Sequence, residues 1–118
     1  MSKLLIPIQG DFVAPRFDLA TEIILASFES GGLTEDYKRI IMEKPSDEEL
    51  CHMVVDLRIS HVVCGGIEEM YYNFLVWKNV VVIDAVIGHW REAMQRVIDE
   101  TLKSRDILDT CREGYLDI

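Results

Sequence analysis

The chain opens on a short continuous apolar run, Leu4-Leu5-Ile6-Pro7-Ile8, halted by Gln9-Gly10-Asp11. An apolar stretch of this length closed by a turn signal predicts a buried strand. Residues 12–18, with Pro15 among them, read as a loop, and residues 22–29 as a second strand. Ser30-Gly31-Gly32 is a tight turn of the kind that closes a hairpin. Residues 33–43 then alternate polar and apolar positions, notably Tyr37, Arg39, Ile40 and Ile41, as a half-buried edge strand does. After Pro45 the period changes. Ser46, with Glu49 three residues on, makes a capping-box pattern, and Leu50, Met53, Val54 and Leu57 recur at helical spacing. Residues 61–64 form a short apolar run ending at Gly65-Gly66. Residues 68–78 predict a second helix, and Val80 to Ile83, all β-branched, predict a strand of the parallel type. Gly88 precedes a third helix whose stripe is Trp90, Ala93, Met94, Val97, Ile98, Thr101 and Leu102.

The order is three strands, then helix, strand, helix, strand, helix. The first three strands can meander antiparallel, whereas the last two need helical crossovers, which are right-handed. The expected architecture is an α/β domain with a mixed five-stranded sheet and about three helices on its faces. One domain fits the length, over residues 1–103, with a polar C-terminal tail over 104–118.

Composition narrows the chemistry. Hydrophobic residues make up 49% of the chain, enough to bury a core without disulfides. No apolar run approaches the ~20 residues of a membrane-spanning helix. The first residues lack the features of a signal peptide, so a cytoplasmic location is expected. The three cysteines show no CxxC pairing, which fits free thiols in a reducing compartment. Formal net charge is −9, from 21 acidic and 12 basic residues. Phosphate backbones are held by clustered Lys and Arg, and here the basic residues are few and scattered. Nucleic acid and anionic membranes are therefore not the expected partners. No P-loop, GxSxG or HExxH motif occurs.

Several segments carry a family resemblance. Leu4-Leu5-Ile6-Pro7-Ile8-Gln9-Gly10-Asp11 resembles the first strand and turn of the dinitrogenase iron–molybdenum cofactor biosynthesis family. Val13-Ala14-Pro15-Arg16-Phe17-Asp18-Leu19-Ala20 resembles its small-Pro-His-Phe-Gly-x-Ala loop, and Cys64-Gly65-Gly66-Ile67 its Cys-Gly-Gly-Ile turn. Residues 80–94 resemble its last strand, glycine and helix. The likeness runs over roughly residues 3–103. It implies a ribonuclease-H-like sheet with strand order 3-2-1-4-5 and a non-catalytic protein that carries iron–sulfur or iron–molybdenum cofactor precursors, or meets an assembly protein. Where the family has its candidate ligand histidine this chain has Arg16, and where it has the loop glycine, Asp18. Arginine offers a metal no lone pair, but its donor fork suits an anionic cluster or a carboxylate. A nuclease activity on such a fold needs converging carboxylates, one inside the first strand. The interior of that strand holds no acid.

The remaining candidates follow from position. Cys64 ends a strand at the carboxyl edge of the sheet, where open α/β folds place ligands. Its thiolate could ligate iron, and the competing expectation is a small buried residue beneath a helix. Gly65 and Gly66 could present N–H groups to an anion, or serve only as a tight turn with Glu68 and Glu69 at the helix start. His89 is the histidine best placed to face the same edge, which gives Cys64 and His89 as metal ligands with Arg16 as charge partner. His52 is expected in solvent and His61 at a strand start. Tyr71, Tyr72, Phe74 and Trp77 spread apolar surface around the second helix. Such a helix is either deeply buried or covered by a partner, and a homodimer through residues 71–77 is one expectation.

Overall fold

The computed structural model describes residues 2–34 and 36–108. Seven strands and three α-helices follow one another as β1 (Ser2–Gln9), β2 (Phe12–Val13), β3 (Glu22–Glu29), β4 (Gly32–Leu33), β5 (Lys38–Ile41), α1 (Asp47–Asp56), β6 (His61–Val63), α2 (Glu69–Trp77), β7 (Val81–Ile83) and α3 (Trp90–Ile98). The sheet runs β4-β3-β1-β6-β7, with β2 paired to β1 and β5 to β3. β1 and β3 are antiparallel, from Ser2 opposite Phe28 to Ile8 opposite Glu22. β6 lies parallel to β1, and β7 parallel to β6.

Side-chain alternation along β1 divides the core in two. Leu4, Ile6 and Ile8 point toward α3 and pack with Trp90, Ala93, Met94 and Val97. Leu5 points the other way, with Ile23, Val62, Leu50, Val54 and Leu75 under α1 and α2. The central strand is therefore buried on both faces, which is why its sequence is a continuous apolar run.

The sheet has seven strands where five were expected, for two local reasons. Phe12–Val13, read as loop, turns back onto β1, with Ile8 opposite Val13. The expected third strand divides into β4 and β5, both paired with β3. Tyr37 lies between them and packs against α3 instead: its ring meets Trp90 edge-on at 4.9 Å, and its hydroxyl accepts from Arg91 Nη2 at 2.8 Å.

The helix starts and stops are local chemistry. Ser46 Oγ accepts from the Glu49 N–H at 3.1 Å, as the capping pattern predicts. All three helices end on a left-handed residue that is not glycine: Arg58, Asn79 and Glu100, at φ 56, 65 and 60°. Beyond each, a backbone N–H reaches back to the last turn, from Ile59 to Val54, Val80 to Leu75 and Thr101 to Arg96. That is the Schellman closure. It leaves Thr101 and Leu102 outside α3 and Leu57 outside α1, where Leu57 is exposed and Cys51 takes the buried place.

Of the expected tail, residues 104–108 are described. The Leu108 N–H donates to the Ile87 carbonyl at 2.8 Å, and its side chain is buried in the α3-side core. Residues 109–118 lie outside the described residues. Among the described residues, no helix is long and apolar enough to cross a membrane.

Candidate functional site

The carboxyl ends of β6 and β7 are stitched to the segment after β2 by backbone hydrogen bonds. The Cys64 N–H donates to the Ile83 carbonyl, and the Val86 N–H to the Cys64 carbonyl, both at 3.1 Å. Two residues on, the Gly66 N–H donates to the Pro15 carbonyl at 2.7 Å, and the Phe17 N–H to the Gly66 carbonyl at 2.8 Å. The Val13 N–H closes the ring on the Gly88 carbonyl at 2.9 Å. Glycine is required at two of these points. A Cβ on Gly65 would strike the Ala14 carbonyl oxygen and lie 2.5 Å from that of Pro15. Gly88 holds φ 148°, and a Cβ there would meet the Leu108 side chain at 2.5 Å.

These three segments enclose a cleft of about 460 Å³, walled by Phe12, Pro15, Val86 and Ile87 and floored by Gly65 and Gly66. No lining residue is charged. Phe12 and Ile87 remain 49% and 52% exposed, large apolar groups facing an opening. The volume is that of a small-molecule site. A second cavity of about 540 Å³ is lined by Ile67, Glu69, Tyr72, Asp84, Ser104 and Arg105.

Of the residues singled out from sequence, Gly65 and Gly66 line the cleft, in the tight-turn role. Arg16 pairs through its backbone with Gly66, but its guanidinium turns to Asp18, with Nε to Oδ1 at 3.0 Å and Nη2 to Oδ2 at 2.8 Å. The Cys64 side chain is fully buried in the core under α1 and α2. Burial, and secondarily the charge of Asp84, push its thiol up to about 12. His89 caps α3, its Nδ1 accepting the Arg91 N–H at 3.1 Å, and its ring stands 5.9 Å from that of Phe12. α3 packs on the sheet face opposite to the one that buries the Cys64 thiol. The structure thus does not bring Cys64 and His89 together as a ligand pair. Among the described residues, no group of three or more His, Cys, Asp or Glu side chains could hold a metal ion. The donor set of the described residues does not fit a metal–sulfur cluster.

His52 is exposed, as expected. His61 is half-buried, with Nδ1 2.8 Å from Ser60 Oγ and its ring edge-on to Phe28 at 5.3 Å. Burial lowers its pKa, and Glu100 partly opposes the shift. α2 buries Leu75 fully and rests Tyr71, Tyr72 and Phe74 on the core, leaving Met70 and Trp77 exposed. Sequence reasoning missed Phe12, Pro15, Val86 and Ile87. Their only signal was the apolar run Ala85-Val86-Ile87 continuing past a strand end.

No family model matches this chain, and no curated protein resembles it closely enough to count as a match. Solved structures do. A protein designated PH0822 aligns over 86% of this chain and 93% of its own, with 16% identity and a TM-score of 0.76. A protein of Methanocaldococcus jannaschii, provisionally named a dinitrogenase, aligns over 86% and 91% with 18% identity and a TM-score of 0.69. One from Thermotoga, provisionally named a NifB protein and assigned to the DUF35 family, aligns over 92% and 97% with 16% identity and a TM-score of 0.67. At these identities the likeness is one of fold: this chain shares the mixed α/β architecture of proteins named for nitrogenase.

Proposed function

We propose that the protein is a non-catalytic binding domain on the scaffold of the dinitrogenase cofactor biosynthesis family, and that it holds its ligand in the apolar cleft rather than by ligating a metal cluster. The observation that carries this reading is the cleft itself, at the carboxyl ends of the parallel strands, where open α/β sheets bind ligands. Its walls offer aromatic and aliphatic side chains and backbone. Such groups hold a ligand by burial and shape, and supply neither nucleophile nor acid–base pair. Cluster carriage through Cys64 and His89 is disfavoured by the full burial of the Cys64 side chain and by its place across the sheet from α3.

A second reading, an interaction module of the same fold without metal binding, draws on the outer face of α2. Met70 and Trp77 are 63% and 74% exposed there. The Lys78 ammonium lies 4.6 Å over the Trp77 ring.

The test is a titration of the ¹⁵N-labelled chain with 3-phenylpropanol, a neutral apolar probe. Shifts should cluster at residues 12–15, 65–66 and 85–88 and vanish in Ile87→Glu, which sets a charge in the cleft wall. No shift at millimolar probe, or the same shifts in the variant, overturns the proposal. Anaerobic loading with ferrous iron and sulfide should give no cluster absorbance above that of Cys64→Ala. A spectrum that depends on Cys64 would restore direct ligation.

A further inference from the structure

A glycine can offer a cavity nothing but backbone, and three of the cleft's lining residues are glycines, Gly65, Gly66 and Gly88. Their carbonyls are all engaged. That of Gly65 accepts the Ala85 N–H at 2.9 Å, that of Gly66 the Phe17 N–H at 2.8 Å, and that of Gly88 the Val13 N–H at 2.9 Å. The Gly66 N–H donates to Pro15. Among the described residues, nothing accepts from the N–H of Gly65 or of Gly88. Both residues are buried. The rest of the lining is accounted for: the N–H groups of Val86 and Ile87 donate to the Cys64 and Asp106 carbonyls, Phe12 pairs with Gln9, and proline has no N–H. Buried N–H groups without an acceptor are rare in folded chains, and here two of them belong to the lining of one cleft.

We infer that the ligand of the cleft is a neutral carbonyl compound with an apolar body, a ketone, ester or amide, its hydrocarbon part between Phe12, Pro15 and Ile87 and its oxygen on the N–H groups of Gly65 and Gly88. This deepens the binding proposal and rests on it. A carbonyl oxygen carries two lone pairs, and a donor already stripped of water gains a full hydrogen bond when an acceptor meets it. The same two positions are those where a Cβ does not fit, so no side chain shields either donor. Charge decides against an anion. No lining residue is cationic, the chain carries a formal charge of −9, and a carboxylate buried without a counter-ion costs far more than a neutral oxygen. An ammonium would set donors against donors. A body held by burial, with few polar groups fixing its orientation, is the usual plan of a small-molecule pocket.

Three probes of matched body test it on the ¹⁵N-labelled full chain at neutral pH: 4-phenylbutan-2-one, the alkene 2-methyl-4-phenylbut-1-ene, in which CH₂ replaces the ketone oxygen, and 3-phenylpropionate. The ketone should move the amide protons of Gly65 and Gly88 downfield, as new hydrogen bonds do, and leave the already bonded Ala85 and Val86 protons with smaller shifts. The alkene should shift the cleft without that downfield movement. The ketone should also bind at least about tenfold more tightly than the carboxylate, whose charge meets no partner in the lining. Equal movement of the Gly65 and Gly88 protons by ketone and alkene overturns the inference and leaves the binding proposal standing. Tighter binding by phenylpropionate than by the ketone also overturns it, because the two donors would then serve an anion. If no probe shifts the cleft, the binding proposal itself falls, and this inference with it.

Discussion

Replacing Gly65 with alanine sets a methyl group against two backbone oxygens, those of Ala14 and Pro15. Neither can swing aside as a side chain would. The segment must back away by several tenths of an ångström, which strains the two hydrogen bonds that tie it to the turn after β6, Gly66 N–H to Pro15 and Phe17 N–H to Gly66. Each backbone bond is worth ~1 kcal/mol net, and overpacking a close contact costs ~1–3 kcal/mol. Gly65 is not in the left-handed region, so alanine recovers ~0.5–1 kcal/mol by narrowing the unfolded ensemble. The balance is a loss of about 2–4 kcal/mol. Gly66 supplies the control, because its added Cβ would lie 3.4 Å from the Pro15 oxygen, an ordinary contact. Gly66→Ala should cost less than ~1 kcal/mol. Urea denaturation followed by circular dichroism, at an unchanged slope with denaturant, measures both. If Gly65→Ala falls within ~0.5 kcal/mol of wild type, or Gly66→Ala is equally damaging, the close approach is not what requires glycine at position 65.

Three further outcomes are expected. Arg58 holds φ 56° at the end of α1, a conformation glycine adopts freely, so Arg58→Gly should raise stability by about 0.5–1 kcal/mol in the same assay; a loss would mean the arginine side chain contributes more than its backbone costs. Burial pushes the thiols of Cys51 and Cys64 up to about 11 and about 12, so a Cys111→Ser variant should react with a thiol reagent only at the rate of global unfolding. Rapid native labelling would contradict their burial. For His61 the folded pKa is below its ordinary value of 6.5, so the unfolded chain takes up the proton first as pH falls. Its contribution is fully present above 6.5 and is lost as pH drops from there toward the folded pKa. The stability difference between pH 7.5 and 5.5 should therefore be smaller in His61→Gln, and an unchanged difference would assign that slope to other groups.

Elements governed by neighbours along the chain were readable. The Ser46 cap, the α3 stripe and the apolar runs of β1, β6 and β7 each carry their period or turn signal locally. The division of the expected third strand was not readable, because Tyr37 is drawn out of line by Trp90 and Arg91, more than fifty residues away. The Gly-Gly turn was legible as a turn. That Gly65 must lack a side chain because residues 14–15 cross over it was not.

The site divides the same way. Sequence placed Cys64 at the end of a strand and at the carboxyl edge of the sheet, and period two fixes that its side chain opposes that of Val63. Which helices cover that face depends on the crossovers, and α1 and α2 close over the thiol. Arg16 was legible as a departure from a familiar loop, but its partner, Asp18, is set by the local 3-10 turn at residues 17–19. The cleft draws on segments around residues 12–15, 65–66 and 85–88, whose local patterns do not say that they meet. By itself the sequence determined the main strands, the three helices and most of the turns, β2 and the division of the third strand apart, since those follow from steric and hydrophobic periods over a few residues. Only the tertiary structure decided what the turns enclose, because a cavity is made of surfaces that meet across the sheet and not along the chain.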